Sequence, residues 1–140
     1  MTEQEIAEKS VKRMLDHDAF SQWLGIELIE VKPKQVTIQM KVRKDMLNGF
    51  AVCHGGVTYA FADSALAFAS NTHGQITVSI ENSIAYPVPV HEGDILIACA
   101  KELSASNRVA IYEVIVTKKD GTKAGFFRGV VYRTQKDLLN

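Results

Sequence analysis

The run Gly55-Gly56-Val57-Thr58-Tyr59-Ala60-Phe61-Ala62-Asp63-Ser64-Ala65-Leu66-Ala67-Phe68-Ala69-Ser70 is almost wholly Ala, Phe, Leu and Val behind two opening glycines. A helix apolar on nearly every side belongs inside a protein, not on its surface. On a wheel of 100° per residue starting at Val57, the residues Phe61, Ser64 and Phe68 fall within about 40° of the origin, a stripe suited to a sheet. Gly56, Ala60, Asp63, Ala67 and Ser70 fall to the other side. That second face is small, so another backbone or a ligand can come close, and a single carboxylate sits in its middle.

On both sides of this helix the apolar period changes to two. Upstream, Val36, Ile38, Met40 and Val42 alternate with Thr37, Gln39, Lys41 and Arg43, a strand with one buried face. Ile26 to Val31 precedes it across Lys32-Pro33-Lys34, which predicts a hairpin. Downstream, Ile76, Val78, Ile80, Ile84 and Tyr86 line one face of a long strand ending at Pro87-Val88-Pro89. Three more strands are expected at about 94–104, 108–117 and 123–134. Residues 3–19 are rich in helix formers, with Glu early and Lys/Arg later as the helix dipole favours, and Phe20 to Gly25 closes that element. Six strands and one buried helix have one economical solution. It is an α+β fold in which a curved antiparallel sheet wraps its concave face around the helix, with the N-terminal helix over an end.

Composition narrows the function classes. The 140 residues carry 16 Lys+Arg against 16 Asp+Glu, a net charge of zero, with 46% hydrophobic residues. That length suits one domain, 1–140, with a real core. Zero net charge gives no general attraction for phosphate backbones, so nucleic acid is not an expected partner, and little self-repulsion opposes self-association. Two cysteines, Cys53 and Cys99, are too few for a disulfide framework and fit a cytoplasmic protein. Met1 to Lys12 lacks the apolar core of a signal peptide, and no apolar run approaches the ~18 residues of a membrane span.

Phosphate-loop, zincin and serine-hydrolase motifs are absent, and His17, His54, His73 and His91 lack ligand spacing, so no metal is expected. What remains is the junction Leu47-Asn48-Gly49-Phe50-Ala51-Val52-Cys53-His54-Gly55-Gly56 and the acid beyond it. Asp63 has Tyr59 and Ala67 at i±4 and so no basic partner there. Partial desolvation should raise its pKa, as a general base near neutral pH requires, although a structural bond to a loop backbone would also explain it. Gly55 and Gly56 offer backbone N–H groups at the positive end of a helix dipole, suited to an oxyanion, and equally suited to capping and close packing. Asp63 lies eight residues beyond Gly55, about 12 Å along a helix axis. One carbonyl carbon cannot touch both. Two such helices antiparallel about a two-fold axis would bring Asp63 of one chain to Gly55 of the other, which predicts a dimer with two composite sites.

Met46 to Val57, with Ala62-Asp63-Ser64-Ala65, Ala69-Ser70-Asn71, Tyr86-Pro87 and Phe127-Arg128-Gly129, closely resembles the hotdog-fold acyl-CoA thioesterases, most of all the phenylacetic acid degradation (PaaI-type) branch. The resemblance spans nearly the whole chain. It implies a hotdog fold and a thioester hydrolase needing no cofactor, which releases a free acid and coenzyme A, with an aryl-acetyl group such as phenylacetyl as one acyl candidate. Asp63 would be the general base or nucleophile, and the Gly55 N–H would polarise the thioester carbonyl while Gly56 allows close approach. Asn48 would position the water or the thioester, His54 would shape the loop, and Ser64 would contact substrate. The coenzyme A thioester and a second copy of the chain are the expected partners, with a dimer of dimers as the assembly. Arg108, Arg128, Arg133 and Lys101 are candidates for the coenzyme A phosphates. A hotdog dehydratase or hydratase is a second reading, which the His-Gly-Gly arrangement disfavours. A non-catalytic acyl-CoA-binding module is a third, and it would release no thiol.

Overall fold

The computed structural model describes all 140 residues. Helix α1 (Glu3–Asp16) starts where Thr2 Oγ1 accepts from the Glu5 N–H at 3.1 Å, with Glu3 and Glu5 in its first turn and Arg13 in its last. It ends earlier than its composition suggests. Asp18 caps a separate helix, α2 (Ala19–Leu24), by accepting from the Ser21 N–H at 2.9 Å, and Gly25 stops α2 at φ 77°. Phe20 to Gly25 is therefore not the tail of the first helix but an element with its own cap and stop signal.

Strands β1 (Glu27–Lys32) and β2 (Gln35–Lys41) form the expected hairpin. After a single 3₁₀ turn and the loop to residue 54 comes α3 (Gly55–Ser70), then β3 (Gln75–Ala85), β4 (Ile95–Ala105), β5 (Val109–Lys118) and β6 (Lys123–Asp137). All six strands join one antiparallel sheet in the order β1-β2-β4-β5-β6-β3. Helix α3 lies on the concave face, chiefly against β2, β4 and β5. This is the hotdog arrangement that the sequence resemblance implies. Phe61, Phe68 and Leu66 of α3 interlock with Val36, Ile38, Met40, Leu96, Tyr112 and Val114 of the sheet, all essentially without exposure. No helix is long and apolar enough to cross a membrane.

Strand β3 departs from the simple alternation. Its pairing with β6 slips between Ser79 and Glu81, a β-bulge that changes which parity points inward. Before the bulge Thr77 is buried while Ile76, Val78 and Ile80 are 39, 49 and 59% exposed. After it Asn82 and Ile84 are the more buried residues, and Ile84 packs on the core. The five apolar residues expected on one face thus divide between two. β3 is also an edge strand, hydrogen-bonded to β6 alone.

Candidate active site

The loop before α3 is tied down at several points. Asn48 Oδ1 accepts from the Phe50 and Val52 N–H groups at 2.9 and 3.3 Å. The Cys53 N–H donates to the Val90 carbonyl at 2.7 Å and the His54 N–H to that of Met46 at 2.8 Å. The turn holds Ala51 at φ 61°, a left-handed conformation that non-glycine residues adopt at a cost. With Asn48 Oδ1 committed to the turn, its amide NH₂ is the part left to meet a ligand. Cys53 is buried, and that burial pushes its thiol pKa up, which suits a packed side chain better than a nucleophile.

His54 is the N-cap of α3. Its Nδ1 accepts from the Gly56 N–H at 2.8 Å, so the neutral ring carries its proton on Nε2. The capping role of the loop histidine makes the Gly56 N–H unavailable to a ligand. The Gly55 N–H, by contrast, has no partner within the chain. Tyr86, reaching over from the end of β3, donates its phenol to the Gly55 carbonyl at 2.7 Å. A Cβ on Gly55 would meet the Tyr86 ring at 3.2 Å, and one on Gly56 would meet His54 Nδ1 at 3.0 Å. Both glycines are thus held under aromatic rings, with one unspent donor at the positive end of the helix dipole.

Asp63 lies two turns further along α3, half-buried on the small face that includes Ala60 and Ala67. A groove of about 280 Å³ opens beside it, walled by Leu66, Ala67, Ser70, Thr77, Ser79 and Val131 among others. Burial pushes the Asp63 carboxyl above the ordinary carboxylate range, opposed by a hydrogen bond from the Asn82 amide to Oδ1 at 3.2 Å. No other ionisable side chain lines this groove.

Not every expected site residue gathers here. Ser64 is 9% exposed, and its hydroxyl shares a 2.9 Å hydrogen bond with Ser21 Oγ, which in turn donates to Asp18. It ties α3 to α2 and does not line the groove, nor does it face the sheet as the helical wheel suggests. Among the basic candidates, Arg133 pairs with Glu102 at 3.1 Å and Arg108 with the Tyr132 hydroxyl at 3.0 Å. Asn82 and Tyr86 are the partners that strand alternation leaves unassigned. It places both on one face, but only the bulge at Ser79–Glu81 shows that this face is the one toward α3.

A family model described as the thioesterase superfamily matches residues 50–124. A putative esterase of Archaeoglobus fulgidus is 34% identical over 134 residues, spanning 96% of this chain and 87% of its own. The acyl-coenzyme A thioesterase PaaI of Escherichia coli is 31% identical over 120 residues, spanning 86% of each. The solved structure of the E. coli PaaI protein, from the phenylacetic acid degradation operon, superposes with a TM-score of 0.95 at 28% identity, covering 97% of this chain and 99% of the other. The TT0310 protein of Thermus thermophilus superposes at 0.80 with 37% identity, covering 84% of this chain and 98% of the other.

Proposed function

This chain belongs to the thioesterase superfamily, and on that footing we propose that it hydrolyses acyl-CoA thioesters with Asp63 of one subunit working opposite the Gly55 N–H of another. The observation that carries the proposal is the pair of groups left unspent on α3, a half-buried carboxylate and an unpartnered N–H at the helix start. Their separation of about 12 Å along one helix calls for two chains at each reacting centre. The small face bearing Asp63, uncovered in the single chain, is where the partner helix would approach.

In the proposed reaction the thioester carbonyl oxygen accepts from the Gly55 N–H and from the amide of Asn48. Asp63 takes a proton from water, whose oxygen attacks the carbonyl carbon to give a tetrahedral oxyanion stabilised at the helix end. Collapse breaks the C–S bond, and the departing thiolate of coenzyme A recovers the proton from Asp63. Direct attack by the Asp63 carboxylate, followed by hydrolysis of the anhydride, uses the same groups. Single-turnover hydrolysis in oxygen-18 water tests the second route, since label enters the Asp63 carboxylate only when water opens the anhydride at the Asp63 carbonyl. His54 acts by shaping and capping the loop. Gly56 admits the close fold of His54 over the helix start.

Several features support the wider assembly. The exposed, half-paired β3 edge with Ile76, Val78 and Ile80 suits pairing with its own copy about a two-fold axis. A shallow hollow of about 320 Å³ on the outer face of the sheet, flanked by Leu103, Ile115 and Phe126, suits association of two dimers. The operon of the E. coli relative supports a phenylacetyl-like acyl group. Both thiols are free, which supports a cytoplasmic setting.

Thiol release from a panel of acyl-CoA esters, with wild type beside Asp63→Ala, tests the activity. Absence of release from every ester would remove the proposal. Mixing Asp63→Ala with a Gly55 variant tests the composite site: a mixed dimer regains one intact site and up to half its activity, whereas independent subunits stay inactive.

A further inference from the structure

We infer that Asn82 is a positioning residue for the reaction, holding the Asp63 carboxylate in one orientation and favouring its charged form. The inference rests on Asp63 acting as the base. Asn82 Nδ2 donates to Asp63 Oδ1 at 3.2 Å, and Asp63 Oδ2 accepts nothing within the chain. One carboxylate oxygen is therefore pinned and the other is left for water. The donor is a neutral amide. A lysine or arginine at this distance would hold the carboxylate so far down that it could not accept a proton near neutral pH, whereas an amide opposes the effect of burial without cancelling it.

Three features of the backbone serve this contact. The bulge between Ser79 and Glu81 turns Asn82 toward α3. Gly129 lies opposite Asn82 in the β3–β6 register, and a Cβ there would come within 2.8 Å of Asn82 Oδ1 and 2.5 Å of Leu66 Cδ2. Asn82 Oδ1 is buried without a hydrogen-bond partner, an arrangement that costs stability and that an apolar residue would avoid. A side chain kept at such a cost for its other end is a side chain with a task. Asp63 is the only ionisable group lining the groove, and Asn82 is the one side chain that hydrogen-bonds to it.

The test is the pH dependence of kcat in Asn82→Leu and Asn82→Asp. Loss of a hydrogen bond to a charged group should lower kcat at neutral pH roughly tenfold in Asn82→Leu, with recovery as pH rises. The acidic limb moves to higher pH, and further in Asn82→Asp, where a second carboxylate disfavours ionisation of the first. KM stays close to wild type. A limb that remains at its wild-type position in Asn82→Leu overturns the inference, whatever happens to the absolute rate. Should Asn82→Leu fail to fold, ¹³C NMR titration of the Asp63 carboxyl in the wild type and in Asn82→Ala reads the same coupling directly. An unchanged titration overturns it. The NMR readout needs no turnover, so a wild type that releases no thiol would sink the thioesterase mechanism and leave this contact separately testable.

Discussion

At the scale of single residues, the site is made of groups denied their usual partners. Gly55 keeps an N–H that the helix cannot use, and Asp63 keeps a charge that burial disfavours. Removing the donor separates its chemistry from the crowding around it. Proline is at home in the first position of a helix, and His54 already has the extended conformation (φ −58°, ψ 131°) that a following proline requires. Gly55→Pro and Gly55→Ala both press on the Tyr86 ring, but only Gly55→Pro lacks the N–H. Steady-state assays should show kcat lower in Gly55→Pro than in Gly55→Ala by about 10²–10³, the usual worth of an oxyanion donor. Asp63→Asn should lower kcat by about 10²–10⁴.

The same substitution at Asp63 should make the protein more stable. A carboxyl whose folded pKa is raised binds its proton more tightly folded than unfolded, so protonation favours the fold. Its contribution is present below the ordinary aspartate range and is lost as pH rises through the raised value. Asp63→Asn is therefore expected to melt above wild type at neutral pH, with the difference shrinking in acid. Thermal melts across that range check the sign.

At the scale of elements, α3 carries both groups of the proposed site, and β3 with the residue after it supplies their neighbours, Asn82 on Asp63 and Tyr86 on the Gly55 carbonyl. His54→Ala removes the helix cap and should cost about 1 kcal/mol, read as a lower midpoint in urea. The helix was legible because its signals are local: two glycines, an apolar run and one interrupting acid. The six strands were legible because their period is. Residues Phe20 to Gly25 misled because helix-forming composition hides a boundary that Asp18 and Gly25 mark by capping. Ser64 misled because a wheel gives direction but not neighbours, and its neighbour is Ser21 on α2. Asn82 and Tyr86 could not be assigned because a bulge is a mismatch between two strands, invisible in either alone.

At the scale of the whole molecule, the chain folds around one core yet leaves the proposed site open on one side. The uncovered face of α3 and the apolar edge of β3 are both unfinished surfaces. Ile80→Lys should leave the subunit folded, because that side chain is already 59% exposed, while breaking the proposed pairing of subunits. Light scattering should then report a monomer, and thiol release should fall with it. A monomer that retains full activity would contradict the composite site.

The one-residue slip in β3 also bears on how such a protein can change over generations. Deleting a single codon between Ser79 and Glu81 would alter composition hardly at all. Ser79 and Glu81 already face consecutive residues of β6, Val131 and Val130, so losing Ile80 would leave the remaining register in place, and Thr77 and Asn82, brought to an even spacing, would both still face inward along an unbroken alternation. What such a deletion would remove is the extra twist that a bulge gives an exposed strand edge, so a scaffold of this shape could change how its edge meets another chain with every named site residue still in place.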